Sequence, residues 1–247
     1  MITTTMTADE ITRVFRGDMT RLNAFWHSKE KILSRQLRHD MRRNPIYCKT
    51  YDVSTRNADY KCICVVGRGL KASSYMMYVK ESNEYIPLTD TTCRTSEILI
   101  AVNIHTFRRI SERYYHDEAF DLDRTMARYY SHPIMFAPVY IDESETHVVF
   151  AATGGIFLGT YESKKHIVHI KTFVSTDMLK VSQKEAVKKI CFMLDAFPSQ
   201  QPGALKDADV TARRNIDIFN KIDFSEIWKI YGEYFKGTSI TMKQKNL

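Results

Sequence analysis

The sequence predicts an α+β fold: antiparallel sheet flanked by helices, with a long helix leading the chain. Three observations predict it. Apolar residues recur at helical spacing through roughly the first forty positions, and four runs rich in β-branched and aromatic residues follow, separated by turn residues. A helical interval then gives way to a hairpin signal, two adjacent glycines between "HVVFAA" and "IFLGTYE".

The chain has 247 residues, 44% of them hydrophobic and 26% charged, which is enough to bury a substantial core without metals or disulfides. The net charge of +7 favours polyanionic partners, RNA among them, because cations gain from counterion release. Cys48, Cys62, Cys64, Cys93 and Cys191 lack paired C-x-x-C spacing, so reduced thiols are expected. The opening "MITTTMTADEITRVF" has no cationic segment followed by an apolar one, and no run is long enough to span a bilayer. A cytoplasmic protein with no membrane association is expected.

Thr7 to Glu10 has the form of a capping box and opens the first helix. Ile11 and Phe15, Leu22 and Trp26, Leu33 and Leu37 form its apolar stripe, with an interruption expected at Gly17 and an end before Pro45. Lys31, Arg35, Arg38 and Arg42 make a second, basic stripe, the candidate nucleic-acid or protein-partner surface. From Ile46 to Asp90 the runs "IYCKTYDV", "YKCICVV", "SYMMYV" and "EYIPL" read as an antiparallel meander. "EILIAV" adds a strand, two helices follow, and "HVVFAA", "IFLGTYE" and "IVHIKTFV" make three more antiparallel strands. A second capping box at Ser182 to Glu185 opens a helix, and after Pro198 and Pro202 two shorter amphipathic helices precede a basic tail. The expected organisation is a helical segment over 1–44, an α+β core over 45–197 and C-terminal helices over 198–247.

"VNIHTFRRISERYYHDE" carries the chemistry-bearing residues. Backbone amides near a helix start lower an imidazole's proton affinity, so His105 is suited to a general base. Arg109, one turn on, is suited to clamp a phosphate, and Arg113 extends that face. The competing reading is a solvated helix, in which these arginines pair with Glu112, Asp117 or Asp121. In the later strand, regular alternation puts Lys171 and Thr172 on opposite faces unless the strand end is bulged, and Ser175 reads as a helix cap or a catalytic hydroxyl. Asp117, Glu118, Asp121 and Asp123 read as capping and surface charge rather than a metal site. His166 and His169 fall on opposite strand faces, which disfavours a metal pair.

The His105-Arg109-Arg113 helix, the glycine hairpin of Gly154, Gly155 and Gly159, and "KTFVSTDML" resemble an uncharacterised bacterial and phage-associated family. More distantly they resemble the barnase, EndoU and RelE-like ribonuclease superfamily, over roughly Ile98 to Gln183. The resemblance implies metal-independent RNA cleavage by in-line attack of the 2′-hydroxyl, without a cofactor. It assigns catalysis to His105, Arg109, Thr172 and Ser175; Arg108, Arg113 and Lys171 are the expected phosphate ligands. The alternative is a noncatalytic interaction or nucleic-acid-binding protein that uses the basic N-terminal helix.

Overall fold

The structure, a computed structural model, describes residues 2–3, 5–40, 46–67, 74–88, 98–131, 140–141, 146–152, 154–195 and 225–235. Thr7 and Glu10 form the reciprocal cap: the Thr7 amide donates to Glu10 Oε2 at 2.8 Å and the Glu10 amide to Thr7 Oγ1 at 3.3 Å. From there α1 runs unbroken over Ala8–Asp40. Gly17 does not interrupt it, because it sits exposed on a helix whose buried stripe holds it on the sheet from both sides.

Four strands follow, β1 (Ile46–Ser54), β2 (Asp59–Gly67), β3 (Ser74–Glu81) and β4 (Glu84–Leu88), paired antiparallel in chain order. Then come β5 (Leu99–Asn103), α2 (Ile104–Arg113), α3 (Leu122–Ser131) and β6 (Tyr140–Ile141). The second meander comprises β7 (His147–Ala152), β8 (Gly155–Glu162) and β9 (Ile167–Ser175). A short 3₁₀ turn, Thr176–Met178, leads to α4 (Val181–Asp195), and α5 spans Ser225–Tyr234. The expected helix in "ALKDADVTARRNIDIFNKI" lies outside the described residues.

The described strands form one nine-stranded sheet in the order β1-β2-β3-β4-β5-β9-β8-β7-β6. Every neighbouring pair is antiparallel except β5 and β9, which pair in parallel from Leu99↔Ile167 to Val102↔Ile170. The fold is therefore α+β, with helices on both faces. On one face α1 lays Ile11, Phe15, Leu22, Trp26 and Leu33 onto Tyr60, Cys62, Met77, Ile86 and Leu99. The same face carries α4 and α5 over Val149, Ala151, Ile156 and Leu158. On the other face α2 and α3 bury Phe107, Ile110 and Met126 against Tyr78, Tyr85, Phe157, Ile170 and Phe173. Cys62 and Cys64 point together into the core beneath α1, sulfurs 3.5 Å apart, and are free thiols, consistent with small apolar fillers.

Two details of the second meander position the candidate site. Gly154 turns the β7–β8 hairpin at φ +87, and a Cβ there would strike the Tyr114 ring. In β9 the register shifts: Ile170 pairs with Gly159 but Thr172 pairs with Leu158, leaving Lys171 as the extra residue of a bulge. A Cβ on Gly159 would collide with the His169 carbonyl oxygen, so the bulge needs glycine opposite it.

Candidate functional site

Asn103 ends β5 and caps α2, its side chain accepting the His105 amide at 2.9 Å. Pairing of β5 with β9 stops at Val102↔Ile170, so the later part of β9 loses its ladder neighbour on that side. Helix α2 takes the neighbour's place. Thr106 Oγ1 donates to the Ile170 carbonyl at 3.1 Å, and Arg113 Nη1 donates to the Phe173 carbonyl at 2.6 Å. Arg113, expected as a phosphate ligand, thus closes the edge of β9. Burial and the neighbouring Arg109 lower its pKa.

His105 and Arg109 do meet: Arg109 Nε donates to His105 Nε2 at 3.3 Å while Arg109 Nη1 pairs with Glu112 at 3.0 Å. Burial first, then Arg109 and Arg108, holds His105 below the ordinary imidazole value. The neutral ring is the base-competent form, yet its Nε2 lone pair is directed at an arginine. Arg108 lies on the surface with its guanidinium 5.2 Å from the Phe120 ring centre.

The rest of the expected catalytic set does not converge on this pair. The bulge at Lys171 puts Thr172 on the same face as Leu158, under α4, whereas Phe173 and α2 lie on the opposite face. Thr172 is 6% exposed and separated from His105 by the sheet itself. Lys171 is exposed at the bulge. Ser175 does share the α2 face, but it lies two residues beyond Phe173, whose carbonyl binds Arg113 at the C-terminal end of the helix, about two turns from His105. It occupies the N-cap position of the 3₁₀ turn without a side-chain cap bond and is 3% exposed. The spacing of His105, Arg109 and Arg113 was readable from sequence; the bulge that turns Thr172 away was not.

The acidic run Asp117 to Asp123 is taken up by structure. Asp117 accepts from Ser111 at 2.9 Å and Arg128 at 2.7 Å, Asp121 caps α3 through the Arg124 amide at 3.0 Å, and Asp123 pairs with Lys61 at 2.8 Å. Among the described residues no group of three or more His, Cys, Asp or Glu is arranged to hold a metal ion.

Helix α1 presents a different surface. At about 100° per residue, Arg13, Lys31 and Arg35 project nearly opposite the buried stripe of Ile11, Phe15, Leu22, Trp26 and Leu33, and Arg16 and Arg21 flank them. All five are exposed, and the ridge from Arg13 to Arg35 is about 33 Å long at 1.5 Å per residue. Over residues 8–36 of α1, whose side chains are described, exposed acidic residues are confined to the first turn, Asp9 and Glu10; Glu30 is half-buried and Asp18 is inside. Beside the ridge the Lys29 and Lys49 ammonium groups sit 5.5 and 5.3 Å from the centre of the Tyr51 ring. Of the basic stripe expected from sequence, Lys31 and Arg35 are here, while the Arg38 side chain and Arg42 lie outside the described residues. Arg13, Arg16 and Arg21 were missed because their spacing is irregular; only the position of the buried stripe shows that they share its opposite side.

Among the described residues no helix is long and apolar enough to cross a membrane. Comparison with protein-family models, curated proteins and solved structures finds no match.

Proposed function

We propose that the chain is a noncatalytic nucleic-acid-binding protein, in which the cationic ridge of α1 lies along a sugar–phosphate backbone. The observation that carries this reading is the one-sided ridge of Arg13, Arg16, Arg21, Lys31 and Arg35 on a helix whose other side is locked to the sheet. A rigid row of cations displaces condensed counterions at little ordering cost, which is the main source of sequence-independent affinity. The partly exposed Phe25 and Tyr51 beside it offer apolar surface to unpaired bases.

Cleavage of RNA by His105 and Arg109 is the competing reading, and one set of preparations separates the two. Labelled single-stranded and duplex oligonucleotides are titrated with the protein, with a variant carrying Arg13→Glu, Lys31→Glu and Arg35→Glu, and with His105→Ala. Binding is expected to collapse in the charge-reversed variant and to survive in H105A, with total RNA left intact in the presence of EDTA. Unchanged binding by a folded charge-reversed variant refutes the proposal. EDTA-resistant cleavage that H105A abolishes would put the ribonuclease reading in its place.

A further inference from the structure

On the face that carries α1 and α4, the apolar packing is divided. The cluster under α1 reaches Leu99, Ala101 and Ile167, and the cluster under α4 begins at Leu158 and Ile156. A polar belt lies between them, at the one parallel pairing in the sheet. That pairing, four residue pairs between β5 and β9, is where the strands β1–β5 join the strands β6–β9. His169 stands in it opposite Ala101, whose small side chain leaves room for a carboxylate to reach across β5. Glu84 of β4 does so, its Oε2 2.8 Å from His169 Nδ1, and Glu162 of β8 approaches Nε2 from the other side at 3.4 Å.

We propose that protonated His169 is a clasp between the two half-sheets, and that loss of its proton loosens the β5–β9 seam, making this joint sensitive to pH. The groups facing the imidazole are Glu84 from β4, Glu81 beside it across the β3–β4 hairpin, Glu162 from β8 and Lys165 from the β8–β9 turn. Ala101 of β5 brings no charge. Lys165 is engaged with Glu162 at 2.7 Å, and its carbonyl accepts the Ala8 amide at 2.8 Å, so the belt also anchors the start of α1. Removing the imidazolium charge leaves carboxyl groups from both half-sheets facing one another with a single lysine among them.

The direction of titration agrees with the geometry. The Glu84 hydrogen bond raises His169 above its ordinary 6.5, and burial with the Glu84 charge raises Glu81. A histidine raised on folding contributes stability that is complete below 6.5 and is lost as pH rises through the folded-state midpoint. On the opposite face one apolar cluster runs across the seam, from Tyr78 and Tyr85 to Phe157 and Phe173, so the loosening is local rather than global.

Native-state amide hydrogen exchange on the whole chain, corrected for intrinsic rates, tests this at about pH 5.5 and about pH 8. Seam amides of β5 and β9 are expected to lose protection several-fold, relative to those of β2, as pH rises, and His169→Gln is expected to abolish that pH dependence. Equal protection at both pH values in the wild type, or the same fall in folded H169Q, overturns the clasp. If H169Q does not fold, NMR titration of the His169 ring in wild type and Glu84→Gln decides. A midpoint that drops in E84Q upholds the proposal, and an unchanged midpoint overturns it.

Discussion

Asp18 shows how one buried side chain fixes the seat of α1. It is 6% exposed and accepts three hydrogen bonds from the β1–β2 hairpin: Thr55 Oγ1 at 2.7 Å, Asn57 Nδ2 at 2.8 Å and Tyr60 Oη at 2.9 Å. Asp18→Ala removes the acceptor shared by the buried Tyr60 hydroxyl and the half-buried Thr55 and Asn57, and is expected to cost about 3 kcal/mol in urea unfolding. His105 and His169 make a second residue-scale test, because their surroundings push in opposite directions. Burial and arginines lower the first; carboxylates raise the second. The contribution of His105 to stability is therefore complete above 6.5 and lost as pH falls through its lowered midpoint, the reverse of His169. NMR titration is expected to place the two midpoints on opposite sides of 6.5. At this scale the four-residue spacing shows that His105 and Arg109 share a helix face, where they do meet, but regular alternation puts Thr172 on the wrong side of the sheet. Alternation counts only while a strand stays regular, and one extra residue at Lys171 reverses the parity of all that follows.

At the scale of elements, boundaries followed local chemistry where that chemistry was reciprocal. Thr7 and Glu10 satisfy each other as the capping pattern requires, so the start of α1 was legible. The second box was not used as spelled: α4 begins at Val181, and the Lys180 amide donates to Gln183 Oε1 at 3.2 Å, so the cap sits two residues before Ser182. The direction of β5 was equally hidden. "LIAVN" is an apolar run that suits a parallel or antiparallel partner, and the choice is made by β9, more than sixty residues away. Ending β5 early exposes the β9 carbonyls that α2 then covers. Arg113→Met removes the bond to the Phe173 carbonyl and is expected to lower stability by about 2 kcal/mol, measured by chemical denaturation, with nucleic-acid affinity unchanged.

For the whole molecule, the α+β class was legible because periodicity and turn chemistry agree segment by segment. The layering was not, since nothing local tells α1 and α4 to share one face while α2 and α3 take the other. That layering matters for function. It turns α1 into a strut whose apolar side is consumed by the sheet and whose cations face outward, and it carries Thr172 away from His105 through the thickness of the sheet. Under the proposed reading the outward cations of α1 hold a polyanion, while His105 and Arg109 on one face of the sheet and Thr172 on the other do not share a cleft. The most direct measurement is the salt dependence of single-stranded nucleic-acid binding, in the wild type and in a variant combining Arg13→Ala, Arg21→Ala and Arg35→Ala. The wild type is expected to lose affinity linearly in log–log form as salt rises, with the slope about 2 units shallower in the variant, at about 0.7 per lost phosphate contact. A wild-type affinity indifferent to salt, or a slope that the three substitutions leave unchanged in a folded variant, would contradict the account.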